Sequence, residues 1–419
     1  MSDLYFQELT QALQMAGISQ PTLVIDKHRL DRNIDHLIDV MNRGFDYRLV
    51  AKSLPSIPLI QHIMRRTGTI RLMSFHLPFL MHVVEHIPSA DILLGKPMPV
   101  AAAKHFYQWH QRQTSSMCFD PSLQLQWLID TPQRLHQYHA LAQAHNMTLR
   151  INLEIDIGLH RGGFQPDDDF THALQYIERS PFLELSGLMG YEAHISKLPR
   201  WISSRQQALQ QARTRYQQFL DIIQQQLGDD ALTGLCLNTG GSTTYTQYHH
   251  NDVANELATA SALVKPSDFD VDTLDNHQAA AFIAAPVLKT VAKPELPCAP
   301  ALSALLRATG MLARKGAYIY GGNWLASPCY PADAARDPLL GHSSNQEFYR
   351  LADDHPIDVD DFLFFRPHQS EAVFLQFGQI AVYEDGRISE YWPVFADNSH
   401  LVGHSSDTCT LPFSGDIAP

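Results

Sequence analysis

Cysteine is scarce in this 419-residue sequence: there are five, an odd number, at the widely separated positions Cys118, Cys236, Cys298, Cys329 and Cys409. Such spacing offers neither a disulfide framework nor a Cys-x-x-Cys metal knuckle, and it points to the reducing cytoplasm. Long apolar runs are missing too. The longest, Ala279 to Leu288, has ten residues and is broken by Pro286, far short of the roughly 18 needed to span a bilayer. The opening Met1-Ser2-Asp3-Leu4 lacks the basic start and apolar core of a signal peptide. Positive charge is in deficit, with 31 Lys and Arg against 44 Asp and Glu, a formal net charge of −13. A chain of that sign is repelled by nucleic acid and anionic membrane, and both are set aside as partners. What remains is a hydrophobic fraction of 45%, ordinary for a folded soluble protein, and a length that suggests two domains.

From Tyr47 to about Val264 short apolar or β-branched runs alternate with longer stretches of helical period, the pattern of successive βα units and a parallel sheet. Eight strands are expected: Tyr47–Ala51, Ile70–Phe75, Ile92–Gly95, Leu125–Asp130, Leu149–Asp156, Leu185–Glu192, Gly234–Thr239 and Leu257–Val264. Eight such units predict a (β/α)8 TIM-type barrel. A doubly wound open sheet would place a Gly-rich phosphate loop after its first strand, where this chain has Lys52-Ser53-Leu54-Pro55. Leu30, Ile34, Leu37, Ile38 and Met41 share one face of a helix leading into the first strand, with Asp26 placed to cap it. Asp167-Asp168-Asp169 reads as another helix start. Beyond Asp268 the helical period fades. Ala317–Tyr320, Phe362–Phe365, Val373–Phe377 and Ile380–Tyr383 then read as strands, with Asp385-Gly386 as a hairpin turn. The expected organisation is a barrel over residues 27–266 and a smaller, mainly β domain built from 1–26 and 267–419.

Functional groups of such a barrel gather at the C-terminal ends of its strands. The first strand ends at Lys52. A lysine there either snorkels at the rim or, stripped of water, serves as the nucleophile of a Schiff base with an aldehyde cofactor. The fifth ends in a polar, glycine-containing loop, Glu154-Ile155-Asp156-Ile157-Gly158-Leu159-His160-Arg161-Gly162-Gly163. There Arg161 either binds a phenolate or carboxylate or simply pairs with its acidic neighbours. The sixth leaves His194 at its tip, where a planar cofactor would lie against it, although a lone histidine is more often structural. The seventh ends Thr239-Gly240-Gly241-Ser242-Thr243, small residues and hydroxyls that suit a phosphate cradle late in a barrel. His136, His139 and His145 fall on one expected helix and read as solvated, and His249-His250 is a weak metal candidate.

Together these features resemble the fold-type III pyridoxal-phosphate enzymes, the alanine racemase superfamily. Pro21-Thr22-Leu23-Val24-Ile25-Asp26, Asn33 and Arg48-Leu49-Val50-Ala51-Lys52 match the start of that family, and the resemblance puts Lys52 at the Schiff-base lysine. It likewise implies that Arg161 contacts the cofactor's phenolic oxygen, that His194 sits against its ring, and that the turn from Thr239 through Gly240, Gly241, Ser242 and Thr243 holds its phosphate. The Tyr191-Glu192-Ala193-His194 form, Ala317 to Gly322, Ser343 to Glu347 and Arg366 to Glu371 are more similar to the D-threonine aldolase and D-serine dehydratase branch than to alanine racemase.

The resemblance implies a homodimer acting on D-amino acids, most simply by aldol cleavage or dehydration of a D-3-hydroxyamino acid of the D-threonine or D-serine type. Amino-acid racemisation, with His194, Tyr320 or another β-domain group as second base, is the alternative, and a non-catalytic pyridoxal-phosphate carrier is a further one. Two departures stand out. The branch binds a divalent metal through a histidine and, two residues on, a cysteine or aspartate. Here the pair is His368 and Ser370, and a neutral hydroxyl is a poor ligand. His368 is thus a candidate metal ligand without its usual partner, and Glu371, on a strand, would face away from Ser370. The last barrel strand also carries Ala260 where relatives commonly have glycine near the phosphate.

Overall fold

The computed structural model describes residues 2–113, 118–196, 204–353 and 355–395; Cys409 lies outside them. A strand β1 (Thr22–Asp26) precedes eight parallel strands that close on themselves in sequence order: β2 (Asp46–Val50), β3 (Arg71–Ser74), β4 (Asp91–Leu94), β5 (Leu125–Ile129), β6 (Leu149–Ile155), β7 (Leu183–Gly190), β8 (Cys236–Thr239) and β9 (Glu256–Thr259). β9 pairs with β2 in the register Asp46 opposite Glu256 to Leu49 opposite Thr259, which seals the barrel. The predicted TIM-type barrel is therefore present. Helices flank it, and their apolar faces bury Leu30, Ile34, Leu37, Leu59, Ile60, Phe106, Leu135, Phe170 and Phe219 around the strands. The expected helix caps form: Asp26 accepts the N–H of Arg29, and Asp167 accepts those of Asp169 and Phe170.

The rest of the chain builds a mostly β layer of nine strands. β10 (Ala281–Val291), β11 (Lys315–Tyr320), β12 (Ala326–Tyr330), β13 (Ala335–Arg336), β14 (Gln346–Leu351), β15 (Phe362–Pro367), β16 (Gln379–Glu384) and β17 (Arg387–Pro393) join β1 in the order β13-β14-β11-β10-β1-β16-β17, with β15 pairing β10 and β12. β1 lies antiparallel to β10 and parallel to β16, so the strand ahead of the barrel is hydrogen-bonded into this second sheet. The N-terminal helix Asp3–Met15 lays Phe6, Leu9 and Leu13 on Val24, Phe282, Ala284 and Phe364. Asp385 and Gly386 have φ of 51° and 76° at the β16–β17 hairpin, the positive values that a two-residue turn demands.

Two expected strands are corrected. Leu257–Val264 is strand only to Thr259; Ser261–Val264 is a buried helical turn. Val373–Phe377 is not a strand either, because Ser370–Phe374 forms a short helix after an extended Gln369. In both places a brief apolar run buries equally well in either conformation, so periodicity does not choose between them. His139 is also not freely solvated, since its two ring nitrogens meet Tyr176 and Ser180.

Candidate active site

β2 runs straight into a single 3₁₀ turn, Ala51–Ser53, and that turn presents Lys52 at the barrel mouth. The ammonium lies 4.7 Å from the centre of the Phe75 ring. Phe75 itself packs over Gly95, where a Cβ would come within 2.2 Å of the ring, so only glycine fits beneath it. Lys52 is not stripped of water in the way the buried strand implied. Its side chain is 28% exposed and its Nζ donates to Glu371 Oε2 at 2.6 Å, across from the barrel to the short helix Ser370–Phe374 of the second sheet layer. Lys52, Arg161, Gly240, Gly241, Ser242, Thr243, Ser370 and Glu371 line one cavity of about 450 Å³, a volume in the range of small-molecule sites.

The turn after β8 forms one wall. Gly240 has φ of 87°, a left-handed value that favours glycine. A Cβ on Gly241 would lie 3.0 Å from the Tyr191 ring. Among the described residues no acceptor is met by the N–H groups of Gly241, Ser242 and Thr243, so successive free donors line the cavity as a concave anion cradle. Ser242 Oγ is held 2.9 Å from Thr259 Oγ1, tying the turn to β9. Ala260 follows directly and also lines the cavity.

Behind that turn stands a residue whose role sequence reading missed. Glu192 is fully buried and accepts from Thr239 Oγ1 (3.0 Å), Gly240 N–H (3.3 Å), Thr244 Oγ1 (2.7 Å) and Tyr248 Oη (3.0 Å). Burial pushes its carboxyl above the usual range, and the four donors oppose that rise. The signal was available: a lone acid in an apolar strand, Leu188-Met189-Gly190-Tyr191-Glu192, must find donors, and the hydroxyl-rich end of the next strand supplies them.

Across the cavity, the loop after β6 is organised by Asp156. Its carboxylate accepts from the N–H groups of Gly158 and His160, from His160 Nδ1 and from Gln165. Burial opposes its charge, yet these donors outweigh burial and hold the carboxyl well below the usual range. Arg161 leaves this loop exposed, its guanidinium 5.2 Å from the Tyr191 ring centre. Nearby Glu154 is pushed up to about 7 by burial, against the pull of Arg161 and with the repulsion of Asp130 and Asp156.

Three expected site residues are not in the cavity wall. Thr239 is buried and spends its hydroxyl on Glu192. His194 packs beside Gly158, with Nε2 at 3.4 Å from that residue's would-be Cβ, and Tyr191 lines the cavity in its stead. Its Nδ1 is buried without a partner, and burial lowers its basicity. His368 makes a 2.7 Å contact from Nε2 to Ser327 Oγ, while Ser370 Oγ lies 3.4 Å from Ser261 Oγ. Among the described residues the trio of His, Cys, Asp or Glu donors close enough to share an ion is His82, Glu85 and His86, none of which lines the cavity. The donor set around His368 does not fit a divalent metal. A lysine, an anion cradle and an arginine around one cavity do fit pyridoxal phosphate.

Residues 25–256 match the family model of the alanine racemase N-terminal domain. The chain belongs to that family. Its enzymes are fold-type III pyridoxal-phosphate enzymes. No curated protein matches the sequence. Solved structures share the fold at low identity. D-threonine aldolase from Filomicrobium marinum is 16% identical, with 91% of this chain and 96% of that one covered and a TM-score of 0.70. D-threo-3-hydroxyaspartate dehydratase from Delftia sp. HT23 is 17% identical, with 90% and 98% covered and a TM-score of 0.67. An alanine racemase-like protein from Idiomarina loihiensis is 14% identical, with 91% and 98% covered and a TM-score of 0.65.

Proposed function

We propose that this family member is a pyridoxal-phosphate-dependent lyase that cleaves or dehydrates a D-3-hydroxyamino acid of the D-threonine or D-serine type. The observation that carries the reading is a single cavity lined both by Lys52 and by the Gly241–Thr243 cradle, and roofed by Gln369, Ser370 and Glu371 from the second sheet layer. Lys52 is the attachment point for the cofactor's aldehyde, Gly241, Ser242 and Thr243 hold its phosphate, and Arg161 reaches its ring from the opposite loop. His194 packs behind Gly158, at the base of that loop. The cofactor supplies a ring able to take up an electron pair released at Cα. Once its amine is free, Lys52 holds or returns the Cα proton. The roof narrows the cavity over that proton while leaving Lys52 partly open to solvent.

The racemase alternative needs a second base within reach, and neither His194 nor Tyr320 of the same chain lines this cavity. A carrier needs no roof. Fold likeness to a D-threonine aldolase and a D-threo-3-hydroxyaspartate dehydratase supports hydroxyl chemistry, although alanine racemases share the fold as well. The test is the visible spectrum of the purified protein, wild type and Lys52→Ala, with pyridoxal phosphate and then with D-threonine, D-serine or D-alanine. A lysine Schiff-base band confined to the wild type, changing with the hydroxylated amino acids as product accumulates, is the expected result. A band that no amino acid perturbs would leave the carrier reading.

A further inference from the structure

We infer that Glu371 is the catalytic group that moves the proton of the substrate's β-hydroxyl, in exchange with Lys52 and without a metal ion; this rests on the lyase reading above. The two side chains are one hydrogen bond apart, 2.6 Å from Nζ to Oε2, inside the same cavity. The carboxylate is 40% exposed, and among the described residues its other oxygen meets no donor, so Glu371 retains capacity to bind a hydroxyl. The helix Ser370–Phe374 produces this arrangement. Consecutive residues of a helix point about 100° apart, so Ser370 is buried against Ser261 while Glu371 reaches Lys52. A strand there would have set the two residues on opposite faces. The position next to the inadequate metal pair of His368 and Ser370 thus carries a carboxylate placed at the reacting lysine.

The pair balances either lyase reaction. In dehydration Lys52 takes the Cα proton and that C–H electron pair becomes the Cα–Cβ double bond. The Cβ–O pair departs with the hydroxyl, which takes a proton from Glu371 and leaves as water; Lys52 then returns its proton to Glu371. In aldol cleavage the traffic reverses. Glu371 accepts the hydroxyl proton, the O–H pair becomes the carbonyl of the departing aldehyde, and the Cα–Cβ pair becomes a Cα–H bond with a proton from Lys52. Each route moves one proton between Cα and the β-oxygen, and the 2.6 Å contact is the relay.

The holoenzyme is to be assayed on D-threonine, D-serine and D-threo-3-hydroxyaspartate with and without EDTA, and its metal content measured by elemental mass spectrometry. Cα–H exchange of D-alanine in D₂O, followed by NMR, reports Lys52 on an amino acid that has no hydroxyl. Turnover indifferent to EDTA in metal-free protein is expected. Glu371→Gln should keep the lysine Schiff-base band and lose turnover about 100-fold more than it loses exchange, with partial recovery in Glu371→Asp. If Glu371→Gln does not fold, Glu371→Asp is judged by the same ratio of turnover loss to exchange loss. Turnover that requires a divalent metal, or equal loss of turnover and exchange, overturns the role of Glu371 and leaves the lyase reading standing. Failure of the wild-type holoenzyme to consume any 3-hydroxyamino acid overturns the lyase reading itself, and this inference with it.

Discussion

Two cation–carboxylate pairs stand one within β2 and one on the turn that follows it, and they are built differently. At the barrel floor Arg48 grips Glu256 through two contacts, 2.5 and 2.9 Å, and pairs with Asp91 at 2.8 Å. It also donates to the carbonyls of Leu72 and Asp91, while Glu256 accepts from Asn238 at 2.7 Å. Both side chains are almost wholly buried, at 1% and 2% exposure. Burial disfavours both charges, but Arg48 holds the Glu256 carboxyl below its usual range and Glu256 holds the Arg48 guanidinium more firmly protonated. At the mouth Lys52 and Glu371 share one contact, partly open to solvent, between a turn of the barrel and a short helix of the second layer rather than between neighbouring strands. A saturated, bidentate pair fixes strand register and has nothing left to offer a ligand. A single-contact pair at a cavity is free to exchange its partner.

Removing the two cations should therefore break different things. Lys52→Ala is expected to abolish the Schiff-base band and cut turnover by about 1,000-fold or more, with little change in the urea midpoint, because a partly exposed pair contributes at most about 1 kcal/mol. Arg48→Met should do the reverse. It leaves buried Glu256 with only the part-exposed Arg71 as a cation, at 3.2 Å, a loss of about 3 kcal/mol in urea unfolding. The double variant Arg48→Met, Glu256→Leu should recover most of that loss, because the buried charge is gone. An undiminished stability in Arg48→Met would show that the floor pair is not structural.

The contrast also marks what sequence reading reaches. The barrel is legible because its strands are short apolar runs between helices of 3.6-residue period, and the strand ends then name Lys52, Arg161 and the Gly240–Thr243 turn without tertiary information. The Asp385-Gly386 hairpin is legible from turn chemistry alone. Glu371 is not. It meets Lys52 across 319 residues of chain, and its orientation depends on whether Ser370–Phe374 is helix or strand, which so short a segment leaves open. Glu192 was only half visible. Its burial demands donors, yet nothing local says that they come from Thr239, Thr244 and Tyr248. Position at the strand ends names His194 and Thr239 too, but not that His194 packs beside Gly158 and that Thr239 donates to Glu192.

A third carboxylate sharpens the comparison through pH. Glu154 has neither the bidentate cation of Glu256 nor the contact of Glu371; among the described residues no hydrogen-bond donor reaches its carboxylate. Its folded value, pushed up to about 7 by burial, lies above its ordinary value of 4.5. Below about 4.5 both folded and unfolded chains hold the proton. Between there and about 7 only the folded chain does, so stability falls as pH rises through that window and is level above it. Glu154→Gln should remove this slope and gain on the order of 2 kcal/mol at pH 8 relative to the wild type, with little gain at pH 4.5. Parallel urea curves at the two pH values provide the measurement, and an equal gain at both would mean that the carboxyl titrates normally.

The smallest expected effect separates reaction from architecture at the mouth. Glu371→Gln keeps the size and hydrogen-bonding capacity of the side chain and removes its charge. The ion pair it breaks is 28% and 40% exposed at its two ends, so solvent compensates most of the lost attraction, and the change in unfolding free energy should stay within about 1 kcal/mol. Ser370, buried in the same helix turn and lying 3.4 Å from Ser261 Oγ, keeps that turn against the barrel without help from the charge. Cofactor retention, read from the lysine Schiff-base band, should persist because Lys52 no longer has a carboxylate competing for its amine. A stability loss as large as that of Arg48→Met would instead make Glu371 the clasp between barrel and second layer, and the two pairs would then differ in exposure but not in kind.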